Sequence, residues 1–144
     1  MTREPKWISK RVTLAIHEAL LAEHGGAQGI VAEQLLDSAL DSPRNHFLYG
    51  GVSDAFDLAA AYARALTLDH PFVDGNKRVA LTVALTFLER NGHLVSAPEP
   101  EAVQMILGLS SQEIDAKALA QWLRGHSEAK RARRSGARRA RRQS

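Results

Sequence analysis

From Val79 to Leu88 the chain reads Val-Ala-Leu-Thr-Val-Ala-Leu-Thr-Phe-Leu, and Thr82, Thr86, Glu89 and Arg90 leave only a narrow polar strip. A helix apolar on most of its sides must be enclosed by other elements. The fold is therefore expected to be built around residues 76 to 90, with Asn91-Gly92 ending that helix. Directly before it stands His70-Pro71-Phe72-Val73-Asp74-Gly75-Asn76-Lys77-Arg78. This run reads as a loop that ends on the helix N-terminus, where free N–H groups and partial positive charge attract anions. Lys77 and Arg78 sit where the dipole disfavours cations, which points to a bound anion between them, phosphate first.

The remaining periodicity is helical, and the fold class is all-α. A first helix is predicted from about Ser9 to His24, with Val12, Ile16, Ala19 and Leu20 as its apolar stripe and Gly25-Gly26 as its stop. A second covers about Val31 to Leu40, closed by Pro43. Residues 44 to 52, with Phe47-Leu48-Tyr49-Gly50, read as a short extended flap or hairpin arm. Ser53 is expected to cap a third, Ala-rich helix that ends near Asp69, because Pro71 biases His70 away from helical angles. Fifth and sixth helices follow at about Pro98–Leu107 and Gln112–Arg124.

Charge divides the chain. Residues 127 to 144 hold eight basic residues against Glu128, a charge of +7, and the rest carries −4. The expected organisation is a single domain, 1 to 126, and a basic, disordered tail, 127 to 144. The tail has no aromatics for base stacking, so any RNA or ribosome contact through it would be weak and salt-dependent. There is no cysteine, which excludes disulfides and thiolate metal sites. No stretch approaches the ~20 apolar residues of a membrane span, and Met1–Lys6 lacks the apolar core of a signal peptide. The expectation is a cytoplasmic protein without membrane contact.

The nine-residue run offers one chemistry. His70 is the candidate general base for a hydroxyl nucleophile; alone, it would read as a helix C-cap. Asp74 is the candidate magnesium ligand, since magnesium takes one or two carboxylates beside phosphate oxygens; its other reading is a salt bridge to Arg78. Gly75 and Asn76 suit a turn at positive φ that turns backbone N–H groups toward phosphate. Lys77 and Arg78 would neutralise a transferring phosphoryl group. Phe72 reads as the buried anchor of the loop. His17, His24, His46, His93 and His126 show no metal-ligand spacing and read as surface or core residues, with His17 within reach of the pocket.

The run resembles the signature of the Fic/Doc family. The Fic form reads His-x-Phe-x-Asp/Glu-Gly-Asn-Gly-Arg-x-x-x-Arg; the Doc (death-on-curing) form has Lys at the second Gly, as Lys77 stands here. Gly25-Gly26, the stretch from Ser38-Ala39-Leu40 to Pro43, and Phe87 to Gly92 also resemble short Doc-type proteins, over roughly residues 8 to 125. The resemblance implies a six-helix Fic/Doc bundle with a short flap, and a toxin of a toxin–antitoxin system. It implies transfer of the γ-phosphoryl of ATP, with magnesium, to a Thr or Ser hydroxyl of a translation factor, elongation factor Tu in the family. It also implies that the flap pairs with an extended target chain. No Ser or Thr begins the Ser/Thr-x-x-x-Glu-Gly/Asn pattern by which some Fic proteins inhibit themselves, so inhibition is expected from a Phd-like antitoxin. The alternatives are a Fic-type AMP-transferase, against which Lys77 and the uncharged Leu81 and Thr82 speak, and an inactive nucleotide-binding module acting through its tail and a partner. One Doc feature is missing: Leu68-Asp69, not Arg, precedes His70.

Overall fold

The computed structural model describes residues 3 to 129. Six helices carry the fold: α1 Lys10–His24, α2 Glu33–Gly50, α3 Ala55–Asp69, α4 Asn76–Arg90, α5 Glu99–Ser110 and α6 Ala116–Gly125. Two three-residue strands, β1 His93–Val95 and β2 Ser127–Ala129, form the one small sheet among the described residues, antiparallel with Leu94 opposite Glu128. The all-α expectation holds. β2 takes in Ser127–Ala129, the first residues of the segment expected as tail; Lys130 to Arg142 lie outside the described residues.

The core sits where α3 meets α4. Leu58, Ala59, Ala63 and Leu66 of α3 and Val79, Ala80, Val83, Phe87 and Leu88 of α4 are wholly buried. The alanines of α3 let the two backbones approach, and Phe87 and Tyr62 fill the space between (ring centroids 5.3 Å). α2 and α6 cover α3, and α1 and α5 lie against α4. The enclosed helix read from the sequence is thus the central one, and it fixes the loop at its N-terminus to the most rigid part of the molecule.

Three local expectations are corrected. Residues 44 to 50 are helix and not an extended flap: α2 runs on through Pro43, Phe47, Leu48 and Tyr49 to Gly50. Leu36, Ala39 and Pro43 form one buried face at helical spacing, and that burial outweighs the local penalty of proline, roughly 3 kcal/mol in a helix interior. Gly51 at φ 69° then ends the helix, and Val52 N–H closes on the His46 carbonyl at 3.0 Å. The Gly-Gly pair is a helix stop. The second correction concerns the cap of α3, which is Asp54 and not Ser53. Its carboxylate accepts from Phe56 N–H and Asp57 N–H at 2.9 and 3.1 Å. Finally, α6 starts later than expected, at the Asp115 cap.

Candidate active site

His70 ends α3 and adopts the left-handed region, φ 52° and ψ 55°. A side chain seldom accepts that conformation without a return elsewhere. It turns the chain sharply, so that Pro71 and Phe72 are buried and Val73-Asp74 lie at the surface. Gly75, at φ 83°, makes the second turn and caps α4 with its backbone. The first intrahelical bond is Val79 N–H to the Gly75 carbonyl. Asn76, Lys77 and Arg78 therefore present N–H groups with no intrahelical acceptor, and no side chain caps them.

Asn76 organises this turn. Its Oδ1 accepts from Phe72 N–H at 2.9 Å, which leaves Nδ2 to donate to the Phe72 carbonyl at 2.8 Å. The second Nδ2 proton faces His70 Nδ1 at 2.9 Å. His70 Nδ1 is thereby an acceptor, and the neutral ring carries its proton on Nε2. Asn76 is 3 % exposed, so this is a buried polar brace on the first residue of α4, where the sequence suggested a turn residue at positive φ; of that pair only Gly75 has positive φ.

His70, Asp74, Gly75, Asn76, Lys77 and Arg78 line one cleft of about 630 Å³. The rest of the lining comes from Val73, from Leu81 of α4 and from Glu99, Val103, Ile106 and Leu107 of α5, with His24 at the end of α1. The lining thus combines two cations and the free N–H groups of α4 with an apolar set of Val73, Leu81, Val103, Ile106 and Leu107. The Asp74–Arg78 salt bridge does not form among the described residues. Gly75 N–H donates to Asp74 Oδ1 at 2.8 Å and Ala27 N–H to Oδ2 at 3.2 Å. Lys77 and Arg78 make no ion pair among the described residues, and both are exposed to the cleft.

Phe72 is buried, 1 % exposed, with its ring against that of His17. Phe47, Leu48, Tyr49 and Gly50 are not at the cleft. Phe47 packs its ring against Trp7 at 5.7 Å, and Leu48 and Tyr49 are exposed on the end of α2. The extended chain beside the motif lies instead between α1 and α2. Ile30 bridges Phe72 in antiparallel fashion: Val31 N–H reaches the Pro71 carbonyl at 2.8 Å, and Val73 N–H reaches the Gly29 carbonyl at 3.0 Å. In this geometry the N–H and C=O of Ile30 point away from Phe72, toward an open edge.

Sequence reading missed two groups, this Gly29–Val31 edge and the α5 side of the cleft; His17, read as within reach of the pocket, does not line it but lies with its Nε2 2.9 Å from the Asp74 carbonyl. For His17 a signal was present. It follows Thr13 by four residues, and these two polar side chains are the buried ones of α1.

Among the described residues no three metal-ligating side chains cluster. A magnesium ion would therefore take Asp74 and complete its shell from phosphate and water. The donor set fits, because each Asp74 oxygen accepts one backbone N–H and keeps a further lone pair.

A profile of the family described as Fic/DOC matches residues 7–88. The chain is similar to "Protein kinase doc" of Escherichia phage P1, 32% identical over 117 residues that span 81% of this chain and 92% of the relative. It is also similar to "Toxin Doc" of Mycolicibacterium smegmatis, 33% identical over 111 residues, 73% of this chain and 83% of the relative. With Lys77 in its loop and the loop mounted on the enclosed α4, the chain belongs to the Fic/Doc family, in its Doc form.

Proposed function

We propose that this protein is a Doc-like toxin of a toxin–antitoxin system, and that it transfers the γ-phosphoryl of ATP to a Thr or Ser hydroxyl of a translation factor. The observation that carries this reading is the meeting of His70 with Lys77 and Arg78 across one cleft, both cations uncommitted among the described residues. The names of the two relatives, a protein kinase and a toxin, support it.

In this mechanism Lys77, Arg78 and the free N–H groups of α4 hold the terminal phosphates. The apolar wall of Leu81, Val103 and Leu107 has room for the nucleoside. The His70 ring turns away from Asn76, and the acceptor hydroxyl takes its place at Nδ1. Asn76 keeps both of its bonds to Phe72, so the exchange costs no more than one hydrogen bond, about 1 kcal/mol. As the hydroxyl oxygen bonds to the γ-phosphorus, its proton passes to Nδ1, the bond to the β–γ bridging oxygen breaks, and ADP leaves. Magnesium, when bound at Asp74, would neutralise phosphate charge. Lys77 fills the space that glycine leaves in the AMP-transferring form, which favours transfer of the terminal group.

An extended target segment would run along the open edge of Gly29–Val31, adding a strand beside His70. The expected partner is an antitoxin of the Phd kind, acting in trans. The expected target is elongation factor Tu. The test is the intact mass of purified elongation factor Tu after incubation with this protein, ATP and magnesium, beside a His70→Ala control. One added phosphate, absent from the control, is the expected result. One added adenylate would overturn the reading in favour of AMP transfer, and an unmodified target would overturn the choice of elongation factor Tu.

A further inference from the structure

We propose that His17 is a positioning residue of the site: from α1 it holds the main chain of Asp74 and so aims that carboxylate into the cleft. A carbonyl oxygen only accepts, so at 2.9 Å the Nε2–H of His17 donates to the Asp74 carbonyl. The ring is 7 % exposed and lies flat on Phe72, 3.8 Å between centroids and 16° between planes. A Cβ on Gly75 would come within 3.7 Å of it. One imidazole therefore touches the loop at its anchor, at its carboxylate residue and at its turn. His17 does not line the cleft, so it acts through Asp74 and not on substrate.

The turn that follows this helix holds the carboxylate of Asp74. Ala27 N–H donates to Oδ2, and a Cβ on Gly26 would stand 2.7 Å from that oxygen. Gly26, at φ 121°, is what lets the turn after α1 close on the carboxylate. Main chain and side chain of Asp74 are thus held by α1 and by the turn after it before any ligand arrives, which lowers the cost of ordering them on binding. This inference rests on the reading of Asp74 as the carboxylate that serves the phosphates.

Three variants of the full chain test it. His17→Leu fills the space but cannot donate; His17→Gln keeps an N–H donor; Gly26→Ala pushes on the carboxylate and leaves His17 intact. The first measurement is amide hydrogen exchange of residues 72 to 78 without ligand, which does not depend on the function proposed above. Loss of one hydrogen bond predicts roughly five- to tenfold faster exchange there in His17→Leu, with α2 and α6 unchanged, and near-normal exchange in His17→Gln. The second is the magnesium dependence of ATP binding. The half-saturating magnesium concentration should rise by about the same factor in His17→Leu and in Gly26→Ala, and recover in His17→Gln. Exchange at 72 to 78 equal to wild type in His17→Leu, or equal losses for Leu and Gln, would overturn the proposal. A wild-type protein that binds no ATP with magnesium would instead overturn the proposed function, and the exchange comparison would still decide the role of His17.

Discussion

His70 joins two demands that pull apart, and the pull can be measured. The residue ends α3 at φ 52°, where an L side chain costs about 1–2 kcal/mol and glycine almost nothing. Replacement by alanine and by glycine removes the same imidazole and the same bond from Asn76. The variants differ only in the strain of the turn and in the freedom of the unfolded chain. The lost hydrogen bond is partly offset, because Asn76 keeps its Oδ1 and one Nδ2 proton engaged by Phe72; it should cost about 1 kcal/mol in either variant. Alanine retains the strain, so His70→Ala should be about 1 kcal/mol less stable than wild type. Glycine relieves the strain, less its entropy penalty of about 0.5–1 kcal/mol, so His70→Gly should match wild type within a few tenths. For a domain of this length, a difference of about 1 kcal/mol between the variants is about 3–5 °C in melting temperature. Both should lose phosphoryl transfer. The assay is thermal melting followed by circular dichroism, beside transfer of labelled phosphate from ATP. An alanine variant as stable as the glycine variant would refute the idea that this turn stores strain at His70.

Two other perturbations follow from buried or capping groups. Tyr62 is 1 % exposed and its hydroxyl accepts from Ile8 N–H at 3.0 Å; burial pushes its pKa up to about 12. The folded value lies above the unfolded one, so this stabilisation is complete below about pH 10 and is lost as the pH rises through 12, some 3 kcal/mol in all. Tyr62→Phe should cost about 1–3 kcal/mol at neutral pH, by leaving Ile8 N–H unpaired, and urea melts should show the gap closing at alkaline pH; a gap independent of pH would count against it. At the start of α3, burial alone would raise the Asp54 carboxyl, but hydrogen bonds from Asp57 N–H, Arg124 and Phe56 N–H outweigh it and hold it below its ordinary value. Asp54→Ala should therefore cost about 1–2 kcal/mol at neutral pH. That difference should fade as the pH drops through the lowered pKa, where the wild-type carboxylate is protonated too; urea melts across the acid range would show a persistent gap if the cap did not depend on charge.

What could be read from the sequence was what is local along the chain. The enclosed α4 shows in ten consecutive residues, and the loop at its N-terminus in nine. A histidine, a carboxylate, a turn and two cations are compressed into that loop, so its composition marks it as the candidate site. The extension of α2 past Pro43 was hidden because a local rule, that proline ends helices, lost to burial of Leu36, Ala39 and Pro43 on one face. The supports of the loop were hidden for another reason. His17 lies 57 residues from Asp74, and Ala27 lies 47 from it; the packing of α1 on α4 brings them together, and no period in the chain records that. The flap was sought at Phe47–Gly50 because glycines and aromatics gather there, whereas the extended segment at Gly29–Val31 shows itself only through its bonds to Pro71 and Val73. The nine-residue run carries the candidate groups, and α1 with the turn after it supplies the bonds that hold Asp74 among them. A substitution at His17 or Gly26 would leave the family signature untouched while loosening the carboxylate it depends on, so the activity of such a chain has to be judged from the residues that touch the loop as well as from the loop.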